Sequence, residues 1–127
     1  MLSQPSYESP KSLVISIPEI YQRLNTTAEE IANFCTKWHI AELALFGSVL
    51  RDDFRVAGEN PSDIDFLFSY LPETNMSLLR RAAMKIELEH LVQRRVDLVL
   101  AIEVLESRNP IRRQHILEST KVIYVQG

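Results

Sequence analysis

The chain has 127 residues, 14 basic against 17 acidic side chains, a formal net charge of −3, and 46% hydrophobic against 24% charged residues. That length supports one ordinary core but no separate substrate domain, and the balance excludes a disordered or fibrous chain and a globally basic surface for gripping nucleic acid. No apolar run approaches the roughly 20 residues of a membrane span, and MLSQPSYESPK lacks the regions of a secretory signal, so a cytoplasmic protein is expected. The single Cys35 excludes an internal disulfide and a cysteine metal cage.

Residues 1–12 hold Ser, Pro, Gln and Glu with little apolar periodicity, which predicts a flexible arm ahead of a single domain over residues 13–127. LVISIPEIYQRLN reads as a short extended piece and a helical turn that Pro18 can initiate, since proline is tolerated at a helix start. TTAEEIANFCTKWHI predicts an amphipathic helix of about three turns: Thr26 or Thr27 with Glu29 or Glu30 makes a capping box, and Ile31, Phe34, Cys35 and Trp38 follow at helical spacing. Cys35 then reads as a buried structural thiol, and Phe34, Trp38 and Tyr124 as core.

AELALF reads as a buried strand ended by Gly47, SVLRDDF as a short helix or turn, and RVAGENP as a loop. DIDFLFS is a second strand, ended by Leu71 and Pro72. NMSLLRRAAMKIELEHLVQR predicts a long helix whose packed side carries Leu78, Leu79, Ala82, Ile86, Leu88, Leu91 and Val92. VDLVLA is a third strand, IRRQHILEST a last helix and KVIYV an edge strand. The sum is an α/β (α+β) arrangement in which helices pack on a sheet. His39, His90 and His115 fall on three separate elements without ligand spacing and read as surface or helix-end histidines. The pairs Arg80-Arg81 and Arg112-Arg113 read as solvated helix faces, while Arg94-Arg95 stand out because they immediately precede Asp97.

The chemistry concentrates in acids. Residues two apart in a strand share a face, about 7 Å apart, so Asp63 and Asp65 project together while Ile64 enters the opposite layer. Asp97 stands at the head of the third strand, and pairing of the second and third strands would bring all three acids together. Two unit charges about 4 Å apart repel by roughly 4 kcal/mol at an effective dielectric near 20, so a cation should compensate them. Arginine or lysine could serve, and carboxylates with open positions also suit Mg²⁺. Gly47-Ser48, between a strand and a helical turn, allows close backbone approach and offers amides and a hydroxyl to phosphate oxygens, or Ser48 simply caps the turn. Arg51 could reach the same phosphates or pair with Asp52 or Asp53.

Phe46-Gly47-Ser48 with Arg51, then Ser62-Asp63-Ile64-Asp65, then Val96-Asp97-Leu98-Val99 resembles the polymerase-β-like nucleotidyltransferase superfamily, in particular its minimal nucleotidyltransferase (MNT) members with their G-S-x-x-R, S-D-x-D and later D pattern. The likeness runs from about residue 27 to Tyr124. It implies a nucleotidyltransferase core, a mixed four-stranded sheet packed with helices. It further implies nucleotide binding by Gly47, Ser48, Arg51 and Ser62, and two Mg²⁺ ions held by Asp63, Asp65 and Asp97. In that reading Asp97 also helps activate the attacking hydroxyl, and a nucleoside monophosphate passes from NTP to that hydroxyl with release of pyrophosphate. Two features depart from the pattern: Asp52-Asp53 stand where many relatives have glycine, and the loop before Ser62 is longer, which bears on nucleotide choice and cleft width.

The chain is too short for the template-gripping or drug-holding domains of larger relatives. As a group, MNT proteins resemble antitoxins paired with HEPN ribonuclease toxins, which implies transfer of AMP from ATP to a toxin tyrosine as the leading activity. No direct nucleic-acid or membrane partner is expected. Two alternatives stand beside it: a small-molecule, aminoglycoside-type nucleotidyltransferase working with a helical partner subunit, and an antitoxin that occludes its toxin without catalysis.

Overall fold

The computed structural model describes residues 15–126, and the expected N-terminal arm over residues 1–12 lies outside them. The elements run α1 (Ile17–Leu24), α2 (Ala28–Lys37), β1 (Ile40–Phe46), a 3-10 turn (Gly47–Leu50), β2 (Ile64–Tyr70), α3 (Leu78–Val92), β3 (Val96–Leu100), α4 (Ala101–Leu105), α5 (Pro110–Glu118) and β4 (Lys121–Val125). The four strands form one mixed sheet in the order β3-β2-β1-β4. β1 pairs antiparallel with β2 and β4, and β2 pairs parallel with β3. KVIYV is thus an edge strand, as its sequence suggests.

Local signals account for most boundaries. Ser16 caps α1 by accepting the Glu19 amide at 3.3 Å, and Pro18 sits in its first turn. Thr27 caps α2 by accepting the Glu30 amide at 3.1 Å. The Glu30 carboxylate turns instead to Thr26, whose hydroxyl donates to it at 2.6 Å, so both threonines share the capping work. α1 has eight residues rather than a single turn, because Ile20 and Leu24, four apart, are both fully buried and hold it against the core. β3 ends at Leu100, and Ala101 opens α4, a short helix the sequence pattern does not announce.

One face of the sheet carries the main core. Leu43 and Leu45 of β1, Ile64, Phe66 and Phe68 of β2, and Val96 and Leu98 of β3 meet α1, α2 and α3 there. Phe34, Cys35 and Trp38 belong to this core, with Tyr124 packed against it. Burial pushes the Cys35 thiol up to about 12, which makes it the inert structural group expected. On the other face Ala44 and Leu67 meet Val104 of α4 and Ile116 of α5 in a smaller cluster.

The packed side of α3 needs correction. Met84, Leu88 and Val92, spaced by four, enter the core. Leu78 and Leu79 are each 82% exposed and Ile86 is 56% exposed. Ala82 is exposed as well, and Leu91 is half-buried. At about 100° per residue, positions 78, 82 and 86 point on average about 120° away from 84, 88 and 92. The helix carries apolar side chains on two sides, and hydropathy alone merges them into one.

Candidate active site

Strand register builds the site. Phe46 at the end of β1 stands opposite Asp65, and Asp65 stands beside Asp97 across the parallel β2–β3 ladder. Neighbouring strands lie about 4.8 Å apart, so Asp65 and Asp97 project side by side from one face. It is the face carrying Leu67 and Val99, whose farther part α4 and α5 cover. Asp97 is exposed and Asp65 half-buried. Asp63 precedes β2 by one residue, is exposed, and has Oδ1 3.7 Å from Arg95 Nε. Two of the three predicted acids therefore share a row, and the third stands at its edge, paired to an arginine. Among the described residues no three His, Cys, Asp or Glu side chains form a ready-made metal cage.

The row is electrostatically tense. Burial, then the neighbouring charges of Asp97 and Asp63, push the Asp65 carboxyl up to about 6, with Arg51 acting weakly in the opposite sense. A half-buried carboxylate beside two others is a site that a divalent cation would relieve, and an all-oxygen donor set of this kind suits a hard ion such as Mg²⁺. Asp65 and Asp97 could hold such an ion, with Asp63 joining them if it left Arg95.

Gly47 abuts this row and has two reasons to be glycine. Its φ is +80°, in the left-handed region. A Cβ built on it would overlap Asp65 Oδ2 and lie 3.3 Å from Asp65 Cγ. The backbone of the Gly-Ser turn therefore runs directly against the acid that the register selects. Ser48 follows within the 3-10 turn, and the Arg51 amide closes that turn by donating to the Ser48 carbonyl at 2.9 Å. The Arg51 side chain pairs with Asp53, Nε to Oδ1 at 3.2 Å, on the exposed surface. Beside Gly47 a recess of about 170 Å³ is lined by Leu50, Arg51, Ser119, Thr120 and Lys121 among others. Lys121 reaches this place because β4 pairs with the end of β1, Leu45 opposite Lys121. No local motif marks it, so the sequence reading omits it.

Ser62 is buried, and its hydroxyl accepts the Arg55 amide at 2.8 Å while its own amide donates to the Arg55 carbonyl at 3.0 Å. These bonds close the long loop before Asp63, placing Ser62 as a clasp behind the acids. Arg94 supports the same loop by donating to the carbonyls of Arg55 at 2.9 Å, Val56 at 2.6 Å and Ser62 at 2.8 Å. Its place just ahead of Asp97 is the one sequence signal that points to it. His39, His90 and His115 are all exposed and lie apart from this site.

Comparison with known proteins places this geometry. A family model described as a nucleotidyltransferase domain matches residues 29–123. No curated protein sequence matches the chain. Among solved structures, one described as a minimal nucleotidyltransferase is 25% identical with a TM-score of 0.55, covering 85% of this chain and 96% of its own. A chain from the complex of tri-AMPylated HEPN toxin of Shewanella oneidensis with MNT antitoxin is 18% identical with a TM-score of 0.53, over 84% of this chain and 73% of that one. A toxin–antitoxin structure with AMP-PNP is 18% identical with a TM-score of 0.55, over 79% and 74% of the two chains. The likeness to the two toxin–antitoxin structures is one of fold, and the family match covers most of the sequence. The chain belongs to the nucleotidyltransferase domain family and is, by that membership, a nucleotidyltransferase.

Proposed function

We propose that this protein transfers AMP from ATP to a tyrosine hydroxyl of a partner HEPN ribonuclease toxin and thereby neutralises it, as an antitoxin. The observation that carries the reading is the row of Asp65 and Asp97 set against the backbone of Gly47. It juxtaposes an acid pair suited to a divalent cation with a turn suited to phosphate oxygens. Support for the partner comes from the fold shared with MNT antitoxin complexes, and support for the nucleotide from the neighbour holding AMP-PNP.

In this reading Gly47 and Ser48 receive the triphosphate, with Arg51 within reach once it leaves Asp53. Asp63, Asp65 and Asp97 would hold Mg²⁺, whose two ions would supply charge neutralisation during the transfer. The acceptor oxygen bonds to the α-phosphorus, the bond from that phosphorus to the β-phosphate bridge breaks, and pyrophosphate leaves. The Asp97 carboxylate takes the hydroxyl proton. Most of the rate then comes from positioning and charge compensation. Ser62 contributes by fixing the loop that delivers Asp63.

The test is incubation with α-phosphate-labelled ATP, Mg²⁺ and lysate from the host, beside the Asp63→Asn/Asp65→Asn double variant, with products separated by size. Label on a discrete foreign protein, absent with the variant, supports the proposal. Label confined to small molecules would instead identify a small-molecule nucleotidyltransferase, and equal labelling in EDTA would overturn the metal assignment.

A further inference from the structure

Three side chains that no motif marks meet behind the site. Phe54 is buried at 7% exposure although it stands in an otherwise exposed segment between Asp52 and Asn60. The Arg23 guanidinium lies 5.3 Å from its ring centroid and the Arg94 guanidinium 4.7 Å from it. Both distances fall where a cation is attracted to the ring face.

The same two guanidiniums hold backbone on either side of the catalytic centre. Arg23, from α1, donates Nη1 to the carbonyls of Val49 at 2.9 Å and Arg51 at 2.6 Å, at the end of the Gly-Ser turn. Arg94, from the connection between α3 and β3, donates to the carbonyls of Arg55, Val56 and Ser62, the last adjoining Asp63. A planar guanidinium can bond several carbonyls in its plane while stacking its face on an aromatic ring, which an ammonium cannot do. Burial holds Arg94 below its ordinary pKa, so the fold keeps this cation among carbonyls despite the loss of solvent.

We propose that Arg23, Phe54 and Arg94 form one brace that sets the spacing between the phosphate cradle and the aspartate row. Arg23 is the positioning residue of the nucleotide half, Arg94 that of the metal half, and the Phe54 ring couples them. What each half binds rests on the proposed function, whereas the brace rests on the bonds just given. Its signature is selectivity: damage to one arm weakens one ligand, and damage to the ring weakens both.

The experiment compares the full chain with its Arg94→Lys, Arg23→Lys and Phe54→Leu variants. It measures Mn²⁺ affinity without nucleotide, affinity for a fluorescent ATP analogue at saturating Mg²⁺, and amide hydrogen exchange. Arg94→Lys should weaken Mn²⁺ binding by about 10- to 100-fold, the usual loss when a group orienting a metal ligand is removed. It should leave the ATP analogue unaffected, and speed exchange of the Arg55 and Ser62 amides but not of the Arg51 amide. Arg23→Lys should give the reverse pattern, and Phe54→Leu should shift both. Equal effects of the two lysine variants on both ligands, or no effect of either, would overturn the brace. If the unaltered protein binds neither Mn²⁺ nor the ATP analogue, the proposed function fails. The exchange pattern alone then decides the brace, selective loosening supporting it and uniform or absent loosening overturning it.

Discussion

Replacing Gly47 by alanine tests the contact on which the site is built. The backbone there has φ +80°, where an L side chain costs about 1–2 kcal/mol. The new Cβ also enters the space of Asp65 Oδ2, and overpacking of this kind costs typically about 1–3 kcal/mol. Gly47→Ala should therefore destabilise the metal-free protein by about 2–5 kcal/mol, the sum of those two terms. The second term has a single origin, so Asp65→Ala should remove it. Asp65 Cβ lies 3.6 Å from the built atom, an ordinary contact, and an alanine at 65 leaves nothing to clash. In the Asp65→Ala background, Gly47→Ala should cost only the backbone term, giving a coupling of about 1–3 kcal/mol between the two positions. Urea unfolding in EDTA, followed by fluorescence of the buried Trp38, measures all four corners of the cycle. Equal destabilisation in both backgrounds would refute the argument, because the Gly-Ser turn would then not press on the acid row.

Other consequences are separately measurable. Asp65 is raised from 3.8 to about 6, so its favourable contribution to folding is fully present below about 3.8 and lost as the pH rises through about 6. In EDTA, the stability of Asp65→Asn relative to the unaltered protein should therefore rise across that window, and a flat difference would contradict the assignment. Met84→Ala, at a fully buried position, should cost about 2–5 kcal/mol. Leu79→Ala on the exposed side of α3 should stay within about 0.5 kcal/mol, and comparable losses would reverse the orientation assigned to the helix. Asp97→Asn should lower turnover far more than ATP affinity, since its assigned task is the acceptor proton; an unchanged rate would remove Asp97 from the chemistry.

The parts legible in the sequence were those written locally. Thr27 and Glu30 mark the start of α2 and Gly47 ends β1, each through a rule that needs only a few neighbouring residues. The convergence of Asp65 with Asp97 needed one further assumption, that β2 and β3 pair, and the register supplies it. What escaped depends on distant contacts. α3 has apolar residues on two sides, and only the sheet decides that Met84 faces inward. Lys121 comes beside Gly47 through the β1–β4 pairing. Arg23 lies 26 residues from Val49, and Arg94 lies 32 residues from Ser62, so their carbonyl anchors carry no local signature. The ion pair of Asp63 with Arg95 belongs to the same class, since the two stand in different connections of the chain.

The most direct test of the account is to follow both ends of ATP in one reaction. With an acceptor present, label at the α-phosphate should remain on the acceptor while label at the γ-phosphate leaves as pyrophosphate. Both events should require Mg²⁺ and be lost in Asp65→Asn, with the fold intact by circular dichroism. Retention of the γ-label on the acceptor, or undiminished transfer by Asp65→Asn, would contradict nucleotidyl transfer at this acid row.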